Sequence, residues 1–255
     1  MDATGSHYYD KIAHLYDIMY NPDTGFDHMA QVQWVDDWRA KLNLPKTVLD
    51  LACGTGQHLA CFEALGYATF GIDASRRMLD VAARRLHNTP LQQGFFHSFR
   101  RAEEAPLITC FFNAPGYNTN LSELRQALQN IRANLLDDGL LVFDVVCTTA
   151  AQAVFNVRAF EGNGLQFSRT FVGIPTAEGF KSTLYYVVFD GQSSEVIEET
   201  TLRGMFSAGD IQTALAECGF VVLYEGSGYT SGLTVFVALN RSVIAPRREE
   251  PWSAS

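Results

Sequence analysis

The chain has no excess of positive charge. It sets 19 Lys and Arg against 28 Asp and Glu, a formal net charge of −9. No basic stripe runs through it, which argues against nucleic acid or an anionic membrane surface as partner. No apolar run approaches the ~20 residues that a membrane-spanning helix needs. The opening MDATGSHYYDKIAHLYD lacks a charged segment followed by an apolar one, so no secretory signal is expected and a cytoplasmic location is. The five cysteines, Cys53, Cys61, Cys110, Cys147 and Cys218, are far apart and never at CxxC spacing. Neither a disulfide framework nor a zinc site is indicated, and they read as small buried hydrophobes. The histidines form no ligand-spaced cluster, so no metal is expected. No internal repeat is apparent. What is present is a 255-residue chain, 47 % hydrophobic and 18 % charged, enough to bury a sizeable core.

Strand and helix patterns alternate along the first half. Apolar runs at 47–52, 68–72, 90–94, 107–113 and 140–146 read as strands, and 57–65, 74–86 and 121–135 as helices. That alternation implies βαβ units and a parallel sheet. Residues 8–44 read as helical, broken at Asn21-Pro22. After residue 146 the pattern changes: 165–174, 182–190 and 195–203 read as an antiparallel meander. Glu198 and Glu199 lie in its last strand, so only one can face inward, and the pair reads as a solvated edge. A helix at 207–218 ends at Gly219, and 221–225 with 233–239 can form a terminal hairpin. The expected division is 1–44, a helical lid; 45–146, a cofactor-binding α/β core; 147–204, the meander; 205–240, the helix and hairpin completing the core; and 241–255, a polar tail.

The stretch VLDLACGTGQH, residues 48–58, carries the chemistry. A strand bearing Asp50 enters a turn of small residues, and a helix opens after it. A helix N-terminus presents unpaired N–H groups and a partial positive charge. The next strand ends in Gly71-Ile72-Asp73, where a carboxylate can accept hydrogen bonds from ribose hydroxyls. A dinucleotide site would show G-x-G-x-x-G, but Gln57-His58-Leu59 follows Gly56. Asp50 beside the turn suits an ammonium better than a phosphate. A ribose-bearing cofactor without phosphate, S-adenosyl-L-methionine, meets these conditions.

VLDLACGTGQH with GIDAS downstream resembles the class I S-adenosylmethionine-dependent methyltransferases. The Tyr-rich YYDKIAHLYD, the meander and ETTLRGMFSAGDIQTALAECGF resemble the aminosugar N,N-dimethyltransferases of antibiotic biosynthesis. The resemblance implies a three-layer α/β sandwich with a mostly parallel seven-stranded sheet, an N-terminal helical lid and an antiparallel β-meander insertion. It places Gly54 and Gly56 at the methionine moiety with Asp50 nearby, Asp73 at the ribose, and Ala74 and Met78 beside the adenine. Ala52 and Phe112 join this cofactor-binding set, and Tyr16 reaches the cofactor carboxylate from the lid. Tyr8, Asn113 and Tyr117 face the methyl group and the acceptor.

Two departures stand out. Phe95 occupies the position where the family carries an acidic residue for the adenine amine, so stacking on Phe95 or Phe96 is expected instead. Near the C-terminus, Ser231-Gly232-Leu233-Thr234 stands where aminosugar enzymes have Ser-Gly-Arg-Gly. Losing that basic residue disfavours a nucleotide-diphosphate acceptor and favours a more apolar natural product. The expected reaction is methyl transfer to an amine of a small antibiotic-pathway molecule. Transfer to O, C or S, or a protein of this fold that binds or cyclises a ligand without methylating, remain alternatives. The small-molecule acceptor is the expected partner, and monomer and homodimer both stay open. The lid is expected to close about a flexible joint at 21–25.

Overall fold

A computed structural model describes residues 8–148, 152–229 and 232–241. The side chain of Tyr8, Ser231 and the tail beyond Arg241 lie outside the described residues. A 3-10 turn, Tyr8–Lys11, leads into helices α1 (Ala13–Met19) and α2 (His28–Lys41). The alternating segment follows: β1 (Thr47–Leu51), α3 (Gln57–Ala64), β2 (Ala68–Asp73), α4 (Arg76–Arg85), β3 (Leu91–Gln93), β4 (Ala105–Cys110), α5 (Leu121–Arg132) and β5 (Leu135–Val145). Four strands come next, β6 (Val154–Gly162), β7 (Leu165–Thr176), β8 (Gly179–Phe189) and β9 (Ser194–Arg203). Helix α6 (Ala208–Glu217), β10 (Phe220–Ser227) and β11 (Thr234–Asn240) complete the fold.

The main sheet has seven strands in the order β10-β11-β5-β4-β1-β2-β3. Its pairings are parallel except those of β11, which runs against both neighbours. Both faces are covered, and the strand residues divide between them with the two-residue period of a pleated strand. Leu49, Leu51, Ile108, Cys110, Leu141, Phe143, Phe236 and Ala238 pack in one cluster with Leu124, Leu128 and Ile131 of α5 and Ile211 and Leu215 of α6. Val48, Leu107, Leu140, Val142, Val235 and Val237 pack in the opposite cluster with Val32 and Val35 of α2 and Phe62 of α3. The order in which strands join the sheet reverses between β1 and β4, and that switch point opens a crevice at the carboxyl ends of these parallel strands.

Strands β6 to β9 form a separate antiparallel sheet. Its inner face supplies Phe167, Tyr186, Val188 and Ile197, which bury Ile12, Leu15, Ile18 and Met19 of the lid. The apolar stripe of α1 is therefore taken up by the meander, and its Tyr16 is left for the crevice. The meander has four strands, one more than expected. The first, VFNVRAFEG, is exposed along nearly its whole length, so no burial alternation marks it in the sequence. Helix α5 stops at Arg132, before the expected end at 135, and β5 begins at Leu135, ahead of the expected start at 140. Asp138, at φ 60°, kinks the strand there.

Two further expectations are corrected. Asn21 accepts the N–H groups of Asp23 and Thr24 and donates to the carbonyls of Asp17 and Ile18, so the joint behind the lid is a bonded corner. Glu199 is buried on the inner sheet face while Glu198 is exposed, and burial pushes the Glu199 carboxyl up to about 8. Among the described residues, no helix is long and apolar enough to cross a membrane.

Candidate active site

Two adjoining cavities open over the carboxyl ends of β1, β2 and β4. The smaller, about 50 Å³, is lined by Tyr16, His28, Gly54, Thr55, Gln57, His58, Met78 and Phe112, among others. The larger, about 410 Å³, is lined by Ala74, Gly94, Phe95, Phe96, His97, Glu123 and Gln126, among others. Tyr9, Ala52, Asp73 and Tyr117 line both. One elongated ligand can thus thread from the glycine turn, past Asp73, to the two phenylalanines.

The strand ends are bent to make this room. Ala52, Phe112 and Asn113 all have positive φ, at 56°, 58° and 57°. Side chains other than glycine adopt that region at a cost of order 1–3 kcal/mol each, and such residues concentrate at ligand sites. Gly54, at φ 55°, would place a Cβ within 4 Å of nothing, so the backbone there faces open space. Its N–H donates to Asp73 Oδ2 at 2.8 Å, and the Ser75 N–H donates to Oδ1 at 2.8 Å. The carboxylate is thereby fixed at the junction of the cavities. Burial raises its pKa to about 6, against the opposing pull of those N–H groups.

Some expected site residues lie elsewhere. Asp50 lines neither cavity; it is buried beneath the turn, accepts the Thr109 hydroxyl at 2.7 Å, and is raised by burial to about 7. Gly56 lines neither; a Cβ there would lie 2.9 Å from Leu86 Cδ1 and 3.1 Å from Ala82 Cβ, so this glycine lets α4 approach. Asn113 is turned away: its N–H donates to Asp144 Oδ1 at 2.6 Å, and its side-chain oxygen accepts the Val146 N–H at 3.0 Å. It shapes the loop that presents Tyr117. Met78 borders the smaller cavity, whereas Ala74, Phe95 and Phe96 border the larger.

The site also holds residues that sequence reasoning did not assign. Tyr9, next to Tyr8, lines both cavities, and its hydroxyl lies 2.8 Å from that of Tyr117. Arg203, at the end of β9, donates to the Tyr117 hydroxyl at 2.7 Å and lies 4.5 Å over its ring. A continuous Tyr9–Tyr117–Arg203 chain results, joining lid, core loop and meander. Asp17 of α1 accepts from Thr55 Oγ1 at 2.6 Å, Gln57 Nε2 at 2.9 Å and Arg85 at 2.5 Å. This cluster fastens the lid to the glycine turn. The rings of Tyr16, Tyr20, Phe26 and Phe112 form a contiguous wall beside it.

The signature of a methyltransferase domain matches residues 48–139, the segment that builds the glycine turn, Asp73 and the Tyr117 loop. The chain is an S-adenosylmethionine-dependent methyltransferase. It is 26 % identical over 231 residues, 89 % of its own length and 97 % of the relative's, to a dTDP-3-amino-3,4,6-trideoxy-alpha-D-glucopyranose N,N-dimethyltransferase of Streptomyces venezuelae. Over 142 residues, 55 % of this chain and 57 % of the relative, it is 30 % identical to a dTDP-4-amino-2,3,4,6-tetradeoxy-D-glucose N,N-dimethyltransferase of Saccharopolyspora spinosa. Among solved structures, DesVI of Streptomyces venezuelae superposes with a TM-score of 0.81, at 26 % identity, over 89 % of this methyltransferase and 97 % of that chain. An amino pentose methyltransferase of calicheamicin biosynthesis, solved with bound S-adenosylmethionine, has the same fold (TM-score 0.74, 23 % identity, 85 % and 92 % covered).

The site fits this cofactor. Asp73 offers a carboxylate at the junction that could accept ribose hydroxyls, the backbone of Gly54 faces open space, and Phe95 and Phe96 line the larger cavity with apolar rings.

Proposed function

We propose that this methyltransferase N-methylates an amine on a small natural-product acceptor of an antibiotic pathway, an aminosugar or a molecule bearing one. The cofactor supplies an activated methyl group; the chain's own residues align the acceptor and keep water out. The observation that carries the reading is the Tyr9–Tyr117–Arg203 chain. Tyr117 and Tyr9 touch both cavities, so an acceptor approaching the junction meets their hydroxyl oxygens first. An amine must arrive as the free base to present its lone pair. The Arg203 guanidinium, a fixed cation beside Tyr117, disfavours a second cation and so holds the acceptor nitrogen neutral. The tyrosine oxygens accept an acceptor N–H and orient the nitrogen, and the released proton leaves through them to water.

The names of the relatives support an aminosugar, and Leu233 in place of the basic residue of aminosugar enzymes favours an acceptor without a nucleotide diphosphate. Tyr16, Gly54, Asp73, Ala74, Met78, Phe95, Phe96 and Phe112 are the residues that would hold the cofactor. The test is to incubate the protein with S-adenosylmethionine and a panel of aminosugars, their nucleotide conjugates and aminoglycosylated antibiotics, with matched hydroxy analogues. Mass spectrometry is expected to show one or two added methyls on amines only, matched by S-adenosylhomocysteine. Methylation confined to the hydroxy analogues, or no turnover across the panel, would overturn the reading.

A further inference from the structure

We infer that His28 is a donor, beside Tyr16, to the α-carboxylate of the cofactor's methionine end. This rests on the cofactor lying across the two cavities.

His28 opens α2, whose cap residue Asp27 accepts the Ala30 N–H at 2.9 Å. Its imidazole is 6 % exposed and lines the smaller cavity. Nε2 is buried and has no hydrogen-bond partner. Neighbouring rings fix the imidazole. It meets His58 edge-on at 4.8 Å between centroids and Phe112 at 5.8 Å. His58 is itself stacked on Phe111 at 4.1 Å and paired with Gln31 Oε1 at 2.6 Å. A buried polar atom held rigidly without a partner calls for an explanation, and a bound ligand supplies one.

Besides the Tyr16 hydroxyl, which lines the same cavity, several polar groups at this end are already engaged. The Thr55 hydroxyl and the Gln57 amide donate to Asp17, the Gln57 amide also donates to the Tyr20 carbonyl, and the Gly54 N–H donates to Asp73. Carbonyl groups at strand ends serve the ammonium of an amino acid, whereas its carboxylate needs a donor. Burial holds His28 below the usual imidazole range, with Arg85 adding to that effect and Asp17 and Asp27 opposing it. The ring is therefore neutral and offers one N–H, which the tautomer protonated at the orphaned Nε2 would give to a ligand in the cavity that His28 lines. A hydrogen bond to a carboxylate is among the stronger kinds.

Calorimetry on the full chain tests this with two ligands, S-adenosylmethionine and its decarboxylated form, which keeps the ammonium and loses only the carboxylate. For the wild type, removing the carboxylate is expected to weaken binding on the order of tenfold or more, the loss of its charge-assisted hydrogen bonds. His28→Phe, which removes one of them, is expected to weaken S-adenosylmethionine by about tenfold and to leave the decarboxylated ligand within about twofold. His28→Gln, which keeps an N–H donor on a polar side chain, is expected to recover part of the loss and guards against a folding defect in the phenylalanine variant. Equal weakening of both ligands by His28→Phe, with no selectivity restored by His28→Gln, would overturn the inference and make His28 a packing residue. Unchanged S-adenosylmethionine affinity in both variants would overturn it too. A wild type that binds neither ligand would overturn the cofactor placement itself, a distinguishable failure.

Discussion

At the residue scale, the site divides between side chains that touch the cavities and side chains that hold those in place. Asp73 does both, since it accepts two backbone N–H groups and faces the junction. Asp73→Asn keeps an acceptor oxygen for the turn and removes the charge. S-adenosylhomocysteine binding is expected to weaken by about 1–2 kcal/mol, read by calorimetry; unchanged affinity would take Asp73 out of the ribose contact. Tyr117→Phe removes the hydroxyl between Tyr9 and Arg203 while keeping the ring under the guanidinium. It is expected to lower kcat by about 10- to 100-fold with cofactor affinity unchanged, because the group acts at the acceptor. Tyr117 and Asp73 were legible because each sits at a strand end or in the loop behind one. Tyr9 was not: Tyr8–Lys11 is a 3-10 turn, and Ile12, at φ −114° and ψ 6°, breaks its phase from α1. An unbroken helical wheel drawn through both segments therefore does not bring Tyr9 to the cavities it lines. Arg203 and His28 carry no local signature, since their positions depend on how the meander and α2 dock.

At the element scale, the two glycines of the turn serve different ends. Both have positive φ, 55° at Gly54 and 76° at Gly56, but only Gly56 has neighbours that an added Cβ would meet. Gly56→Ala is expected to cost about 2–4 kcal/mol of stability, from the left-handed backbone and from crowding against Leu86 and Ala82. Gly54→Ala pays the backbone cost alone, about 1–2 kcal/mol, yet its methyl projects into the space the cofactor would fill. Thermal unfolding should therefore rank Gly56→Ala as the less stable variant, while calorimetry ranks Gly54→Ala as the weaker binder at a temperature where both are folded. The reverse ranking in either measurement would mean that the roles are exchanged. The sequence marks this turn strongly because small residues there have few other uses. It marks β6 hardly at all, because an edge strand exposed on nearly all its residues has neither period nor apolar run to show. The helix-to-strand boundary at 132–135 is blurred for a related reason: Leu135 is buried as either element would bury it.

At the scale of the whole molecule, the parallel sheet gathers three buried carboxylates at the carboxyl ends of its strands: Asp50 on β1, Asp73 on β2 and Asp144 on β5. Alternating strands and helices foretold that convergence, since every parallel strand delivers its end to the same edge; what they did not foretell is how dry the edge is. Burial raises Asp50 to about 7 and Asp73 and Asp144 to about 6, from 3.8 for a free side chain. A carboxyl whose folded pKa lies above its unfolded one binds its proton more tightly when folded. Its favourable contribution is complete below about 4, declines as pH rises through the window between the two values, and is gone above about 7 for Asp50. His28 and His58, both lowered by burial, act in the opposite sense, losing stability as pH falls below the usual imidazole range. A bulk pH profile therefore mixes opposing slopes, and a single substitution separates them. Asp50→Asn keeps an oxygen for the Thr109 hydroxyl and removes the charge that burial penalises. The variant is expected to gain on the order of 2 kcal/mol over the wild type at pH 8, and to gain little or nothing at pH 4.5, where the wild-type carboxyl is already protonated. Thermal unfolding of both proteins at the two pH values reads the difference directly. A gain of equal size at both pH values would show that Asp50 titrates as a free carboxylate does, and that the strand ends are wetter than this packing implies.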